Sequence, residues 1–425
     1  MAALDNTQLP AWIDRWNPWN RQFTYPPLGP SLKQNTSKTP NIAAVLIAIG
    51  IVAFILLAAA LTGEFVERRY VHVLAPILFP EKSQGIALQR IAFHRSDLLP
   101  LYGSSELVRP AANKAANFFR NYPTGFNVFS VGKAGAASLI LLQRLGAIGS
   151  DLRGKKMVIS ISPTWFFHEN VPATYYDGNF SLLQAGELIY SRHLSFGLKR
   201  DIARRMLEYP KTLEKSPLLA FTLRQLAAGR PINRLLYYGT IPLGFLENGV
   251  LRIQDHFEML YYIAREWRLW HSPIRRLTRT LDWDTLIARA ASQVGEHTDS
   301  DPEPIGPEQG AEKFVAVEQH AHEWIDFELL LRGLNELGAR PLLLSIPIDG
   351  QYFEQFGVER GFRDLYYKRI RELAQVHHLP LVDFEGHDLD EDFLAGHHDH
   401  LTDKGWLYFD KAMDDFFHDR LLSRR

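Results

Sequence analysis

The segment Leu101-Tyr102-Gly103-Ser104-Ser105-Glu106-Leu107 runs from an apolar stretch straight into Gly-Ser-Ser and then into polar, helix-compatible residues. At the carboxyl end of a strand in an α/β sheet, a sharp turn exposes a hydroxyl, and the N–H groups opening the next element can stabilise an oxyanion. Such a serine is equally an ordinary helix N-cap, with a glutamate close by in capping-box fashion. A second group is His397-His398-Asp399-His400-Leu401-Thr402-Asp403-Lys404-Gly405-Trp406, ahead of an amphipathic pattern. An imidazole just before a helix can reach a serine on a neighbouring strand end and act as its general base, whereas the bland alternative is a solvated loop. Metal binding by this group is disfavoured, because adjacent side chains of an extended segment point in opposite directions; no metal is expected. In Ser160 to Pro172 (SISPTWFFHENVP), Thr164 or its backbone can line the same crevice, and Trp165 and Phe166 can wall it or simply pack beneath a loop. Val131-Gly132-Lys133-Ala134-Gly135 is a small-residue turn that can offer N–H groups to an anion. It fits neither a Walker A nor a G-x-G-x-x-G fingerprint, so no nucleotide and no other cofactor is expected.

These groups need a sheet to bring them together. Short apolar runs at Leu98 to Tyr102, Phe126 to Val131, Met157 to Ile161, Pro341 to Ile346 and Leu379 to Val382 read as strands. Helical patterns at Ala134 to Leu145, Val317 to Leu337, Phe362 to His377 and Gly405 to Leu422 separate or follow them. Alternation of this kind predicts a mostly parallel sheet covered on both faces. Residues 178–293 lack a strand pattern and are expected to form a helical insertion roofing one end of the sheet, closed by an exposed Pro-, Gly- and acid-rich loop at 295–310. In that order a nucleophile turn follows the first strand, a glycine turn the second, a polar turn the third, and a histidine precedes the last helix.

Residues 41–62 contain about 20 apolar residues without a charge, which matches a bilayer core of roughly 30 Å. They are expected to be a retained anchor rather than a cleaved signal peptide, since a 40-residue leader precedes them. Residues 1–40 carry Trp12, Trp16, Trp19, Phe23 and Tyr25 among prolines, a composition suited to a membrane or partner surface, or to a disordered tail. Lys33 and Lys38 precede the span and Arg68 and Arg69 follow it, so charge alone does not orient it. The whole chain has 425 residues, 46% of them hydrophobic, with 47 basic against 48 acidic side chains. A chain of this size buries a substantial core, and its formal charge of −1 provides no field for holding a nucleic-acid backbone. With no cysteine, disulfides, thiolate zinc sites and a cysteine nucleophile are excluded.

Tyr102 to Leu107 (YGSSEL), Ser162 to Phe166 (SPTWF), Asp326 to Leu331 (DFELLL), Ser345 to Tyr352 (SIPIDGQY) and His400 to Trp406 (HLTDKGW) together resemble the DltD family of D-alanyl transfer proteins. The core of that family is similar to the SGNH (GDSL-like) esterases. The resemblance implies a flavodoxin-like three-layer α/β/α domain (63–425) outside the cytoplasm, held by a single-pass inner-membrane helix (41–62) with residues 1–40 cytoplasmic. It also implies a membrane-bound O-acyltransferase partner (DltB-like), a D-alanyl donor and an anionic cell-envelope glycopolymer as acceptor. By the family pattern Ser105 is the nucleophile and His400 its base. The oxyanion and substrate groups are the Ser105 N–H, Gly132 in preference to Gly135, and Thr164 or Trp165. The family places an aspartate three residues before the histidine, where this chain has His397, so Asp399 is taken as the orienting acid, with Asp392 and a Ser-His dyad as alternatives. A hydrolase on the same scaffold, an esterase or deacetylase of envelope polysaccharide, and a non-catalytic scaffold for the acyltransferase are the rival functions.

Overall fold

Leu98–Gly103 (β1) is buried at every position, the mark of a parallel strand covered on both faces. With Asn127–Gly132 (β2), Lys156–Ile161 (β3), Arg340–Ser345 (β4) and Leu381–Val382 (β5) it forms an all-parallel sheet in the order β2-β1-β3-β4-β5. The molecule is described here from a computed structural model covering residues 39–266, 278–291, 310–395 and 400–421. Most of the 295–310 loop, most of the 1–40 segment, His397 and Asp399 lie outside the described residues. Pro100 has no N–H to give to a ladder, yet it sits in the centre of the sheet. This is tolerated because pairing of β1 with β3 covers only Leu101 and Tyr102, just past it.

Alternation along the strands divides the core. Tyr102, Phe129, Val131, Met157, Ile159 and Leu343 point into one apolar cluster, while Leu99, Leu101, Val128, Val158, Leu342 and Leu344 point into the other. The first face is covered by Ser138–Ile148 and Glu323–Leu337, which pack on each other, together with Arg360–Val376. The second is covered by Ala115–Asn121 and Asp403–Phe417. This is the α/β architecture expected from the alternation of strands and helices.

We label the helices used below α1 (Thr39–Leu74), α2 (Ser138–Ile148), α3 (Pro231–Arg265), α4 (Glu323–Leu337), α5 (Arg360–Val376) and α6 (Asp403–Phe417). The pattern expected to be one helix over 317–337 is two, breaking at Ala321 and His322 before α4. Between β3 and β4 every described element is helical. Its pieces do not gather over one end of the sheet: Leu182–Tyr190 packs on α2, whereas Trp283–Ala291 packs on α6 on the opposite face. The 35-residue α3 approaches Leu182–Tyr190 closely, because a Cβ at Gly244 would lie 2.2 Å from the Tyr190 ring. α1 is apolar and long enough to cross a membrane over its first half and continues unbroken to Val71 and Leu74, which are buried in the domain core.

Candidate active site

In this strand order the chain reverses direction between β1 and β3, and ligands of open α/β sheets bind at the carboxyl ends of the strands beside such a switch point. Ser104 and Ser105 lie there, at the end of β1, where Ser105 opens a 3-10 turn, Ser105–Leu107. The two hydroxyls differ in what they touch. Ser104 is buried, and its Oγ accepts hydrogen bonds from the N–H groups of Gly135 and Ala136, both 3.1 Å, so it ties the turn after β2 to the turn after β1. Ser105 is half-buried, and its Oγ makes no hydrogen bond among the described residues; its carbonyl accepts from the Val108 and Arg109 N–H groups. Glu106 folds back so that its Oε1 accepts the Ser104 N–H at 2.8 Å. That path exists only over a glycine, since a Cβ at Gly103 would lie 2.1 Å from the same oxygen. Burial raises the Glu106 carboxyl above the usual range, against the Ser104 N–H, the Ser160 hydroxyl and the His400 imidazole, which pull it down.

His400 lies not in a loop but in a two-residue strand, β7 (His400–Leu401), which pairs antiparallel with β6 (Leu394–Ala395) and packs against the Ser105–Leu107 turn. No hydrogen bond joins Ser105 to His400 among the described residues. Instead the Arg109 Nη1 donates to His400 Nδ1 at 3.2 Å. A guanidinium is donor-only, so in this geometry Nδ1 is the acceptor and the neutral ring carries its proton on Nε2. Arg109 was missed by sequence reasoning; its signal is an arginine four residues after the candidate nucleophile, close enough to return over the same turn. Asp403 accepts the Asn113 N–H at 2.8 Å and so clamps the stretch after the serine turn to the start of α6. The Thr402 hydroxyl caps α6 by accepting the Gly405 N–H. Of the candidate acids, Asp399 lies outside the described residues, and Asp392 is bound to the Lys404 ammonium at 2.5 Å.

Gly132 ends β2 beside Gly103, and a Cβ there would meet the Gly103 carbonyl oxygen at 3.0 Å and Leu107 at 2.8 Å. The close approach of the two strand ends therefore depends on the missing Cβ of Gly132. Gly135 has φ +82° and gives its N–H to Ser104. Thr164 is half-buried in the 3-10 turn Pro163–Phe167 after β3. Its neighbour Trp165 packs with Ala137 and Val171 and meets the Tyr175 ring edge-on at 5.5 Å, while its buried Nε1 has no hydrogen-bond partner. Trp165 thus stands beside the turn after β2, and a Cβ at Gly135 would run into Tyr175, which belongs to the same wall.

Other motif residues are structural. Asp326 receives both Arg205 nitrogens, at 2.8 and 3.1 Å, in a buried fork between helices. The Ser345 hydroxyl pairs with Tyr366 at 2.8 Å, and Asp349 caps the short helix Gly350–Glu354 by accepting the Tyr352 N–H. Among the described residues no cluster of metal-ligating side chains occurs.

Residues 77–418 match the family model for DltD protein. The chain is 29% identical over 392 residues to Protein DltD of Bacillus subtilis (strain 168), covering 86% of this chain and 96% of that one. It is 23% identical over 377 residues to Protein DltD of Staphylococcus aureus, covering 85% and 92%. A third relative, Protein DltD of Lacticaseibacillus rhamnosus, is 21% identical over 333 residues, covering 75% of this chain and 77% of that one. With four-fifths of its length under one family model, the chain belongs to the DltD family.

Proposed function

We propose that this chain is a membrane-anchored acyl-transfer protein that esterifies an anionic cell-envelope polymer with D-alanine, working beside a membrane-bound O-acyltransferase. Ser105 is the nucleophile and His400 its base. The observation carrying this reading is the division of labour in the serine pair: Ser104 is committed to two backbone N–H groups, while the Ser105 hydroxyl is half-exposed and unengaged at the switch point of the sheet.

In the reaction His400 Nε2 takes the Ser105 proton as Oγ attacks the carbonyl carbon of a D-alanyl ester or thioester. The Ser105 N–H and the turn at Gly132 stabilise the tetrahedral anion, and Thr164 and Trp165 border the alanyl group. The imidazolium then protonates the departing alcohol or thiol, leaving alanyl-Ser105. An acceptor hydroxyl gives its proton to His400 and attacks the acyl-enzyme, forming the new ester and restoring the serine. Proton transfer to Nε2 requires the proton on Nδ1, so Arg109 releases that nitrogen in the working state. Each added ammonium lowers the negative charge of the polymer and its attraction for cationic molecules.

A fluorophosphonate probe on the full chain tests this reading. An adduct at Ser105 that disappears in Ser105→Ala and His400→Ala is the expected result. The rival reading, a scaffold without chemistry of its own, is favoured by the lack of a direct Ser105–His400 hydrogen bond. Absence of labelling in the folded protein, with its acyltransferase present, would decide for the scaffold.

A further inference from the structure

Helix α3 turns a mixed face into the domain, with Tyr237, Met259 and Ile263 buried beside Thr240, Asn248 and Asp255. On the other side Ile232, Leu235, Leu243, Leu246, Val250 and Phe257 recur at helical spacing, each exposed, with Leu246 68% and Leu235 66% accessible. The stripe is about 38 Å long at 1.5 Å per residue. No charged side chain interrupts it; Gln254 is its one polar residue. Monomeric soluble proteins rarely expose a continuous apolar surface of this size.

Its position names the occupant. The His256 Nδ1 pairs with buried Glu67 of α1 at 2.9 Å, and a Cβ at Gly63 would lie 3.0 Å from His256. Helix α3 thus meets α1 within one turn of Leu61, the last residue of the apolar run, and exposed Phe65 stands at the same level. The Arg192 guanidinium over Phe245 and the Arg234 guanidinium over Tyr238 border one edge of the stripe with positive charge above aromatic rings, an arrangement suited to anionic headgroups. From these contacts we infer that the outer face of α3 lies in the surface of the lipid bilayer, a second and in-plane attachment beside the anchor. Because α1 holds the domain at the bilayer permanently, the face meets lipid at high effective concentration and needs little affinity of its own. The inference rests on the anchor reading of α1.

The chain has no cysteine, so single-cysteine variants of the full protein can carry an environment-sensitive fluorophore at one chosen place. Leu246→Cys reports the stripe, Ile51→Cys the middle of the apolar run, and Val376→Cys, 69% exposed at the end of α5, a surface remote from either. The labelled proteins are reconstituted in vesicles of phosphatidylglycerol and phosphatidylcholine containing spin-labelled acyl chains. The Leu246 label is expected to shift to the blue and to lose emission more to spin labels near the glycerol end of the chain than to those near its tip. The Ile51 label should show the reverse order, and the Val376 label neither effect. A Leu246 label that behaves like the Val376 label while Ile51 is quenched overturns the α3 inference and leaves the anchor standing; an unquenched Ile51 label overturns both. A Leu246 label that is shielded from water but untouched by spin labels also overturns it in favour of a protein cover, and a bismaleimide cross-link between two Leu246→Cys chains would identify that cover as a second copy.

Discussion

At the scale of single residues, the serine pair separates support from chemistry. Ser104→Ala leaves the buried N–H groups of Gly135 and Ala136 without their acceptor, a loss of about 2 kcal/mol. That variant should melt at a lower temperature yet still take the fluorophosphonate label at Ser105. Ser105→Ala removes a half-exposed hydroxyl without a hydrogen bond, so its melting temperature should match the parent while alanyl transfer falls by roughly 10⁴-fold or more. Reversed results would exchange the two roles. The sequence shows an apolar run entering Gly-Ser-Ser, the pattern of a turn at a strand end, but it is mute on which serine does what. That choice is made by a contact 31 residues away, from the turn after β2. Arg109 was illegible for the same reason, since its role depends on β7 arriving from another part of the chain, whereas the contact of Glu106 with the Ser104 N–H is local and its capping position was readable.

At the scale of elements, strands β1 to β4 of the main sheet were readable to within a residue or two because they are buried on both faces and mostly apolar. The break between 320 and 323 was not readable, because apolar periodicity continues across it and a backbone contact decides it: the His322 N–H donates to the Glu169 carbonyl. Beyond the break, α4 braces the nucleophile side of the site through its first residue. Glu323 Oε1 accepts the N–H of Ser138, the first residue of α2, and so fixes the helix that follows the glycine turn. Burial, and then Asp326 nearby, push the Glu323 carboxyl up to about 8. In the unfolded chain the proton leaves near 4.5, so between these values the folded state binds more protons and stability declines as pH rises. Glu323→Gln keeps the acceptor oxygen and removes the charge, so its melting temperature should stay flatter from pH 5 to 8 and exceed that of the parent at the alkaline end. A parent and variant with parallel pH profiles would show that Glu323 is already ionised at neutral pH.

At the scale of the whole molecule, the proposed transfer depends on the side of the membrane on which the carboxyl-terminal domain lies. Lys33 and Lys38 flank the apolar run on one side and Arg68 and Arg69 on the other, and a folded domain of this size crosses largely regardless of flanking charge. The structure narrows the matter differently. The carboxyl-terminal half of α1 belongs to the domain, with Val71 and Leu74 in its core and Glu67 paired to His256. In the proposed reaction Ser105 must lie on the same side of the membrane as its acceptor. An envelope polymer lies outside the cytoplasm, and transfer to it requires the carboxyl-terminal domain there as well. A phosphatase that folds only outside the cytoplasm, fused after Arg425, should therefore be active, while a fluorescent protein that matures only inside should be dark at the same position and bright before Met1. The opposite pattern would put the serine on the side without the polymer, and the transfer reaction would then be excluded even if Ser105 took a covalent probe.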